Sequence, residues 1–172
     1  MTGLTTRLAT ADDAVAIARI HNQGIAERIA TFATAPRDPI QVADQLARKG
    51  DRLPTVVVEQ GDTVIAWASV GSYRETPWYA GIGEHSVYVD AAHRGKGAGL
   101  LALDALCVVC VERGFWKLIS RIFPENVASL ALHERAGFRV VGIYRRHGKL
   151  DGEWRDCVIV EKLIGEAAVD DQ

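Results

Sequence analysis

The sequence predicts a mixed α/β fold, a mostly antiparallel central sheet of about six to seven strands with helices on both faces. Three observations predict it. TVVVEQ (55–60) and TVIAWASVGSY (63–73) flank a Gly61-Asp62 turn, the pattern of an antiparallel hairpin. EHSVYV (84–89), a glycine-rich turn, an apolar helix over 97–113 and WKLISRIF (116–123) form a strand–helix–strand unit, which requires one parallel pair. The 172 residues are 48% hydrophobic and 24% charged, enough for a single domain with its own core.

The remaining elements follow from local signals. TRLAT (6–10) reads as a short strand. Thr10 then caps a helix from Ala11 to about Ala26, with Asp12 and Asp13 near the positive end of its dipole. Ala14, Ile17, Ala18, Ile20 and Ile25 supply its apolar stripe. Pro36 and Pro39 make Glu27 to Pro39 a loop, and Asp38 caps a second helix over 39–49. Arg74 to Gly83 is a loop carrying Trp78 and Tyr79. Gly114 ends the apolar helix, and Gly137 ends another over 126–136. FRVVGIY (138–144) and CVIVEKLI (157–164) are strands joined by the connector RRHGKLDGEWRD. Residues 1–165 form the domain, and 166–172 are expected to fray as a disordered tail.

Composition excludes several functions. A net charge of −2 offers no footprint for nucleic acid or an anionic membrane. No apolar run reaches the ~20 residues of a membrane span, and MTGLTTRLATADD lacks the layout of a signal peptide. A cytoplasmic protein is expected. Cys107 and Cys110 form a CxxC, but a zinc site needs four ligands and only Cys157 remains as a thiol. A redox pair belongs at an exposed helix start, whereas these two are surrounded by Val108, Val109 and Val111. Buried, inert cysteines and no metal site are the expectation.

The chemistry concentrates in VYVDAAHRGKGAG (87–99). Gly95, Gly97 and Gly99 lie between a strand and a helix N-terminus, where bare N–H groups and the helix dipole make an anion site. Arg94 and Lys96 add positive charge, and Ala98 and Leu100 continue the turn into the helix. A pyrophosphate fits. The spacing is neither GxxxxGK[ST] nor GxGxxG, because Leu100 stands where the third glycine of the latter would fall.

The arrangement Arg94, Gly97, Gly99 (R-x-x-G-x-G) resembles the acyl-CoA pyrophosphate loop of the GCN5-related N-acetyltransferases. NVASLALHERAGF (126–138) resembles that family's second block, and the likeness runs over residues 4–164. Asn126, Ser129 and His133 share one helical face, opposite Val127, Leu130 and Ala131, and are expected to line the cofactor cleft. HNQGIAERIATFATAPRDP, GEHSVYVDAAHRGKGAG and GEWRD are similar to the branch acetylating phosphinothricin, methionine sulfoximine and arsinothricin. Glu84, His133, Trp154 and Asp156 match that branch, and Phe32 stands near its substrate-facing phenylalanine. Thr76 replaces the second residue of the branch's basic pair, and Leu150 replaces its lysine, with Lys149 one place off.

The resemblance implies acetyl-CoA as cosubstrate, a small-molecule amine acceptor, a homodimer and a strand pair splayed at the cofactor. Backbone groups of Val87 and Val89 would bond the pantetheine amides, and the N–H of Val87 or Tyr88 would polarise the thioester carbonyl. Glu84 is the expected general base, since a carboxylate beside a partly dry cleft can be tuned for that work. His133 is the expected acid for the thiolate. His85 should alternate to the face opposite Glu84 in a structural role. Arg28, Arg74 and Lys149 are candidate clamps for acidic groups, and Phe32, Trp78 and Tyr79 are candidate pocket walls. A peptide N-acetyltransferase and a silent acyl-CoA sensor are the alternatives. The long 27–39 loop suggests a closed pocket rather than a peptide groove, and the presence of both Glu84 and His133 opposes a sensor.

Overall fold

Val56 and Val58 turn to one side of the sheet and Val57 to the other, and all three are buried. That alternation, with both sides apolar, requires a layer of helices on each face. The structure is a computed structural model that describes residues 3–171. Its sheet has seven strands: β1 (Leu4–Leu8), β2 (Thr55–Gln60), β3 (Thr63–Ser72), β4 (Ile82–Val89), β5 (Lys117–Ile122), β6 (Arg139–Leu150) and β7 (Glu153–Leu163). Their order is β1-β2-β3-β4-β5-β7-β6, and β4–β5 is the parallel pair. The expected mixed fold is therefore present.

Helices α1 (Ala14–Glu27) and α2 (Pro39–Lys49) cover one face, packing Ile17, Ile20 and Val42 on Val57 and Trp67. Helices α3 (Ala98–Glu112) and α4 (Val127–Arg135) cover the other. There Leu103 and Leu106 of α3 bury fully against Val56, Val58, Ala66 and Leu118, at about 1.5–3 kcal/mol per side chain. Cys107 and Cys110 belong to this core, and Cys157 is buried elsewhere; all three are free thiols. Burial, the main cause, pushes Cys110 up to about 12 and raises the other two.

Local chemistry accounts for the boundaries. A 3-10 turn, Ala11–Asp13, precedes α1, where the Asp13 carboxylate accepts the Thr10 N–H (2.7 Å) and the Arg7 guanidinium. Asp38 accepts the Ile40 N–H at 2.7 Å and Pro39 opens α2. β1 starts at Leu4, two residues before the expected strand.

The segment 145–156 differs from expectation. It is a continuation of β6 and β7 into one long hairpin, closed by Asp151 (φ 50°) and Gly152 (φ 83°). An Asp-Gly pair with both φ positive is the favoured two-residue hairpin turn. Leu150, 1% exposed, anchors the hairpin beside Phe123, Cys157 and Phe32. At the other end, Gly165–Asp171 coils into a 3-10 turn over most of the expected tail, and Gln172 lies outside the described residues. Among the described residues no helix is long and apolar enough to cross a membrane.

Candidate active site

The parallel ladder between β4 and β5 is short. Ile82 faces Lys117, Gly83 faces Leu118 and Glu84 faces Ile119, after which the strands part. The far end of β4 is held toward α1 instead. Asp90 is buried there and takes bonds from Arg19 and Gln23 of α1, from His93 and from the Ala92 N–H. Burial alone would push its carboxyl up, but these donors outweigh it and hold the group well below the usual carboxylate range.

The antiparallel β3–β4 ladder decides which backbone groups face the gap. The Asp90 N–H bonds Ile65 O at 2.8 Å, so by strand alternation the N–H groups of Tyr88 and Ser86 also face β3. The N–H groups of Val87 and Val89 face the opening. Of the two candidates for polarising a carbonyl, Val87 has the right direction and Tyr88 does not. Val89 O already accepts Arg94 Nε at 3.2 Å.

A cleft of about 350 Å³ occupies this opening, between β4, the glycine-rich turn and α4. Every expected cofactor residue borders it except Lys96, whose ammonium turns back to Ala92 O. Gly95 (φ 74°) and Gly97 (φ 88°) have open space around a hypothetical Cβ, so their requirement is the left-handed backbone. Gly99 differs: a Cβ there would stand 2.9 Å from Leu132 and 3.2 Å from Val89, so it permits α3 and α4 to approach. No side chain caps α3, which leaves its first N–H groups directed at the cleft. Arg94 pairs with Glu27 of α1 at 2.7 Å across the rim. These unspent donors, the strand opening and the flanking cations fit a pantetheine pyrophosphate.

The expected polar stripe of α4 is split. Ser129 faces the cleft together with Ala131, which was expected on the other side. Asn126 borders the cleft, but its side-chain oxygen accepts the Ser129 N–H at 3.2 Å and is the cap of α4. His133 does not border the cleft: it is 2% exposed and faces inward. Its Nδ1 meets Ser129 O at 2.7 Å and its Nε2 meets His85 Nε2 at 2.9 Å. His85 is on the α4 side, opposite Glu84, as strand alternation requires. Helical periodicity places residues on a face but does not say which side of that face the neighbouring strand will cover.

Glu84 sits where the strands separate, on the α1–α2 side. Its Oε1 accepts from Arg121 of β5, at 2.7 Å to Nε and 2.5 Å to Nη2. Arg121 is missing from the sequence reading. It lies two residues beyond Ile119, the register partner of Glu84, so strand period two points to it once the parallel pair is known. A second cavity, about 420 Å³, opens beside Glu84 under α1 and α2.

The five expected substrate residues border neither cavity and form two outer groups. Arg28 pairs with Asp151 at 3.0 Å, Phe32 packs on Phe123 and Gly148, and Lys149 lies over the Trp154 ring, all at the β6–β7 hairpin. Arg74 lies over the Tyr73 and Tyr79 rings in the β3–β4 loop.

A splayed parallel pair, a glycine-rich helix start and a carboxylate at the divergence define an acyl-CoA-dependent acyltransferase. The pattern described as the acetyltransferase (GNAT) family matches residues 17–138, and the chain belongs to that family, with acetyl-CoA as acyl donor. It is 31% identical to the L-methionine sulfoximine/L-methionine sulfone acetyltransferase of Salmonella typhimurium over 98% of this chain and 99% of that one. It is 32% identical to the phosphinothricin N-acetyltransferase of Streptomyces viridochromogenes, over 87% and 82% of the two chains. The crystal structure of a phosphinothricin acetyltransferase from Sinorhizobium meliloti in complex with acetyl-CoA superposes with a TM-score of 0.88 at 29% identity, covering 98% and 92%.

Proposed function

We propose that this acetyltransferase acetylates the α-amine of a small amino-acid analogue of the phosphinothricin or methionine sulfoximine type. The observation that carries the reading is the position of Glu84 at the last β4–β5 pair, where the strands part and the second cavity opens. The activities named for relatives that match most of the chain support it. Acetyl-CoA supplies a thioester carbonyl to be attacked. Glu84, oriented by Arg121, takes the ammonium proton of the acceptor directly or through water. The Val87 N–H donates to the carbonyl oxygen as charge develops there. Ser129, which borders the cleft, donates a hydrogen bond to the departing thiolate, and solvent supplies the proton; neutral His133 lies behind that hydroxyl, 3.4 Å from its Nδ1, and orients it. Arg74 and Lys149, with Phe32 and Tyr79, lie outside both cavities, at the β3–β4 loop and the β6–β7 hairpin.

The same reading includes a homodimer. Val140, Val141, Ile143, Tyr144 and Trp154 are all more than half exposed on the outer hairpin, and β6 is an edge strand, apolar surface suited to a second copy. Sedimentation at micromolar concentration distinguishes dimer from monomer.

The test of function is thiol release from acetyl-CoA with phosphinothricin, methionine sulfoximine, the common amino acids and a basic peptide. Turnover confined to the glutamate-like analogues, abolished by Glu84→Gln, is the expected result. Turnover of the peptide alone would transfer the reading to protein acetylation.

A further inference from the structure

The second cavity is lined by two cations that no carboxylate pairs with among the described residues. Lys49, the last residue of α2, directs its ammonium inward to Thr55 Oγ1 (3.2 Å) and to Ser69 Oγ, and those two hydroxyls bond each other at 2.7 Å. Arg37, half-buried in the loop before α2, donates to Gln45. Among the described residues neither cation forms an ion pair with a carboxylate. Two further polar atoms of buried residues on this wall, His21 Nδ1 and Trp67 Nε1, have no hydrogen-bond partner. Glu84 is the single carboxylate bordering the cavity among the described residues.

Withdrawing an ammonium from water without a counter-ion is unfavourable, and each nearby cation adds to the cost. Burial, and then Arg37, depress Lys49, which falls to about 8. Burial likewise lowers Arg37, and burial and Arg37 together lower His21 to about 4. An oxyanion in the cavity relieves all three. The hydroxyls of Thr55 and Ser69 hold the ammonium on the wall and leave it a free donor direction.

The register relates this cluster to the base. Ser69 faces Ser86 and Gly71 faces Glu84, so Ser69, which holds the ammonium, lies two residues along and one strand across from Glu84, about 8 Å between backbones. A glutamate-length molecule spans that interval with its amine at Glu84 and an acid at Lys49.

We propose that Lys49, supported by Arg37, anchors an acidic group of the acceptor, a carboxylate, phosphinate or similar oxyanion, and thereby holds its amine at Glu84. The proposal rests on the amino-acid-analogue reading above. It moves acid recognition from the outer Arg74 and Lys149 to the floor of the inner cavity.

Lys49→Gln and Lys49→Arg are compared with wild type in two assays. In the first, KM is measured for phosphinothricin, for methionine sulfone, whose side chain carries no acid, and for acetyl-CoA. Lys49→Gln is expected to raise the phosphinothricin KM at least 10-fold, to leave the acetyl-CoA KM within 2-fold, and to affect methionine sulfone less than phosphinothricin. Lys49→Arg should recover most of the loss. Equal losses on both acceptors, or an unchanged KM, overturn the anchor. In the second, glutarate is titrated calorimetrically into the protein saturated with CoA. Binding to wild type and Lys49→Arg but not to Lys49→Gln supports the anchor, and binding that ignores residue 49, or no binding to wild type, overturns it. If wild type turns over no amine, the amino-acid reading fails in the first assay while the second still decides the anion site.

Discussion

His85 Nε2 and His133 Nε2 face each other at 2.9 Å, joining β4 to α4 beneath the cofactor cleft. Their other nitrogens assign the protons. His133 Nδ1 lies 2.7 Å from a carbonyl, Ser129 O, and must donate to it. In neutral His133 the Nε2 is then an acceptor, so His85 donates from its Nε2. His85 Nδ1 is left as a buried acceptor with no partner. Both rings pack on Phe138, and the pair is built to stay neutral.

Acid should therefore loosen this region. Burial is the leading cause lowering His85 and His133, with His133 adding to the shift of His85, and His21 falls to about 4. An unfolded histidine binds its proton near 6.5. Below that pH the unfolded chain takes up more protons than the folded one, so stability declines as pH falls from about 6.5 toward the depressed folded values. The melting temperature measured from pH 7.5 to 4.5 should drop through this window. The slope should be shallower in His85→Gln, whose amide donates to His133 without titrating.

Asp90 ties the cofactor turn to α1, so Asp90→Ala should cost about 1–3 kcal/mol by leaving its donors unpaired. Chemical denaturation measures that loss. Because the strand end loses its tether at the cleft, KM for acetyl-CoA should rise several-fold in the same variant. Its folded carboxyl stays ionised below the ordinary range, which adds a second acid-sensitive contribution, present above pH 3.8 and lost as pH falls further.

Gly97 and Gly99 should fail differently. Gly97→Ala places a side chain at φ 88° with no neighbour to meet, a strain of about 1–2 kcal/mol that distorts the anion cradle. Its main effect should be a higher KM for acetyl-CoA. Gly99→Ala drives a methyl into Leu132 and separates α3 from α4, so its main effect should be a lower melting temperature. Paired kinetics and calorimetry separate the two.

Arg121 orients Glu84 without occupying either cavity. Glu84→Gln should lower kcat by about 10²–10⁴ with KM for acetyl-CoA preserved. Arg121→Ala should lower kcat by about 10-fold, since the base remains but its direction is lost. Stopped-time thiol assays with both substrates varied provide the comparison.

Much of this arrangement was readable from local pattern. α2 begins and ends at the expected residues because Asp38, Pro39 and Gly50 each act within one turn of chain. β2 and β3 follow from alternating apolar residues around a two-residue turn. The hairpin at 145–156 was also written locally, in Asp151-Gly152, but its polar flanks concealed strands stabilised by pairing and by one buried leucine.

By itself the sequence determined most of the strands and helices, and where a glycine-rich turn leads from β4 into α3. Those properties depend on residues close together in the chain. Only the tertiary structure decided that His133 faces His85 rather than the cleft, that Arg121 holds Glu84, and that Lys49 and Arg37 share a cavity, neither of them ion-paired among the described residues. Each of these is a meeting of side chains from separate elements, 37 positions apart for Glu84 and Arg121 and 48 for the histidines. Such distances are set by how the sheet registers and how the helices pack on it, and no local propensity encodes them.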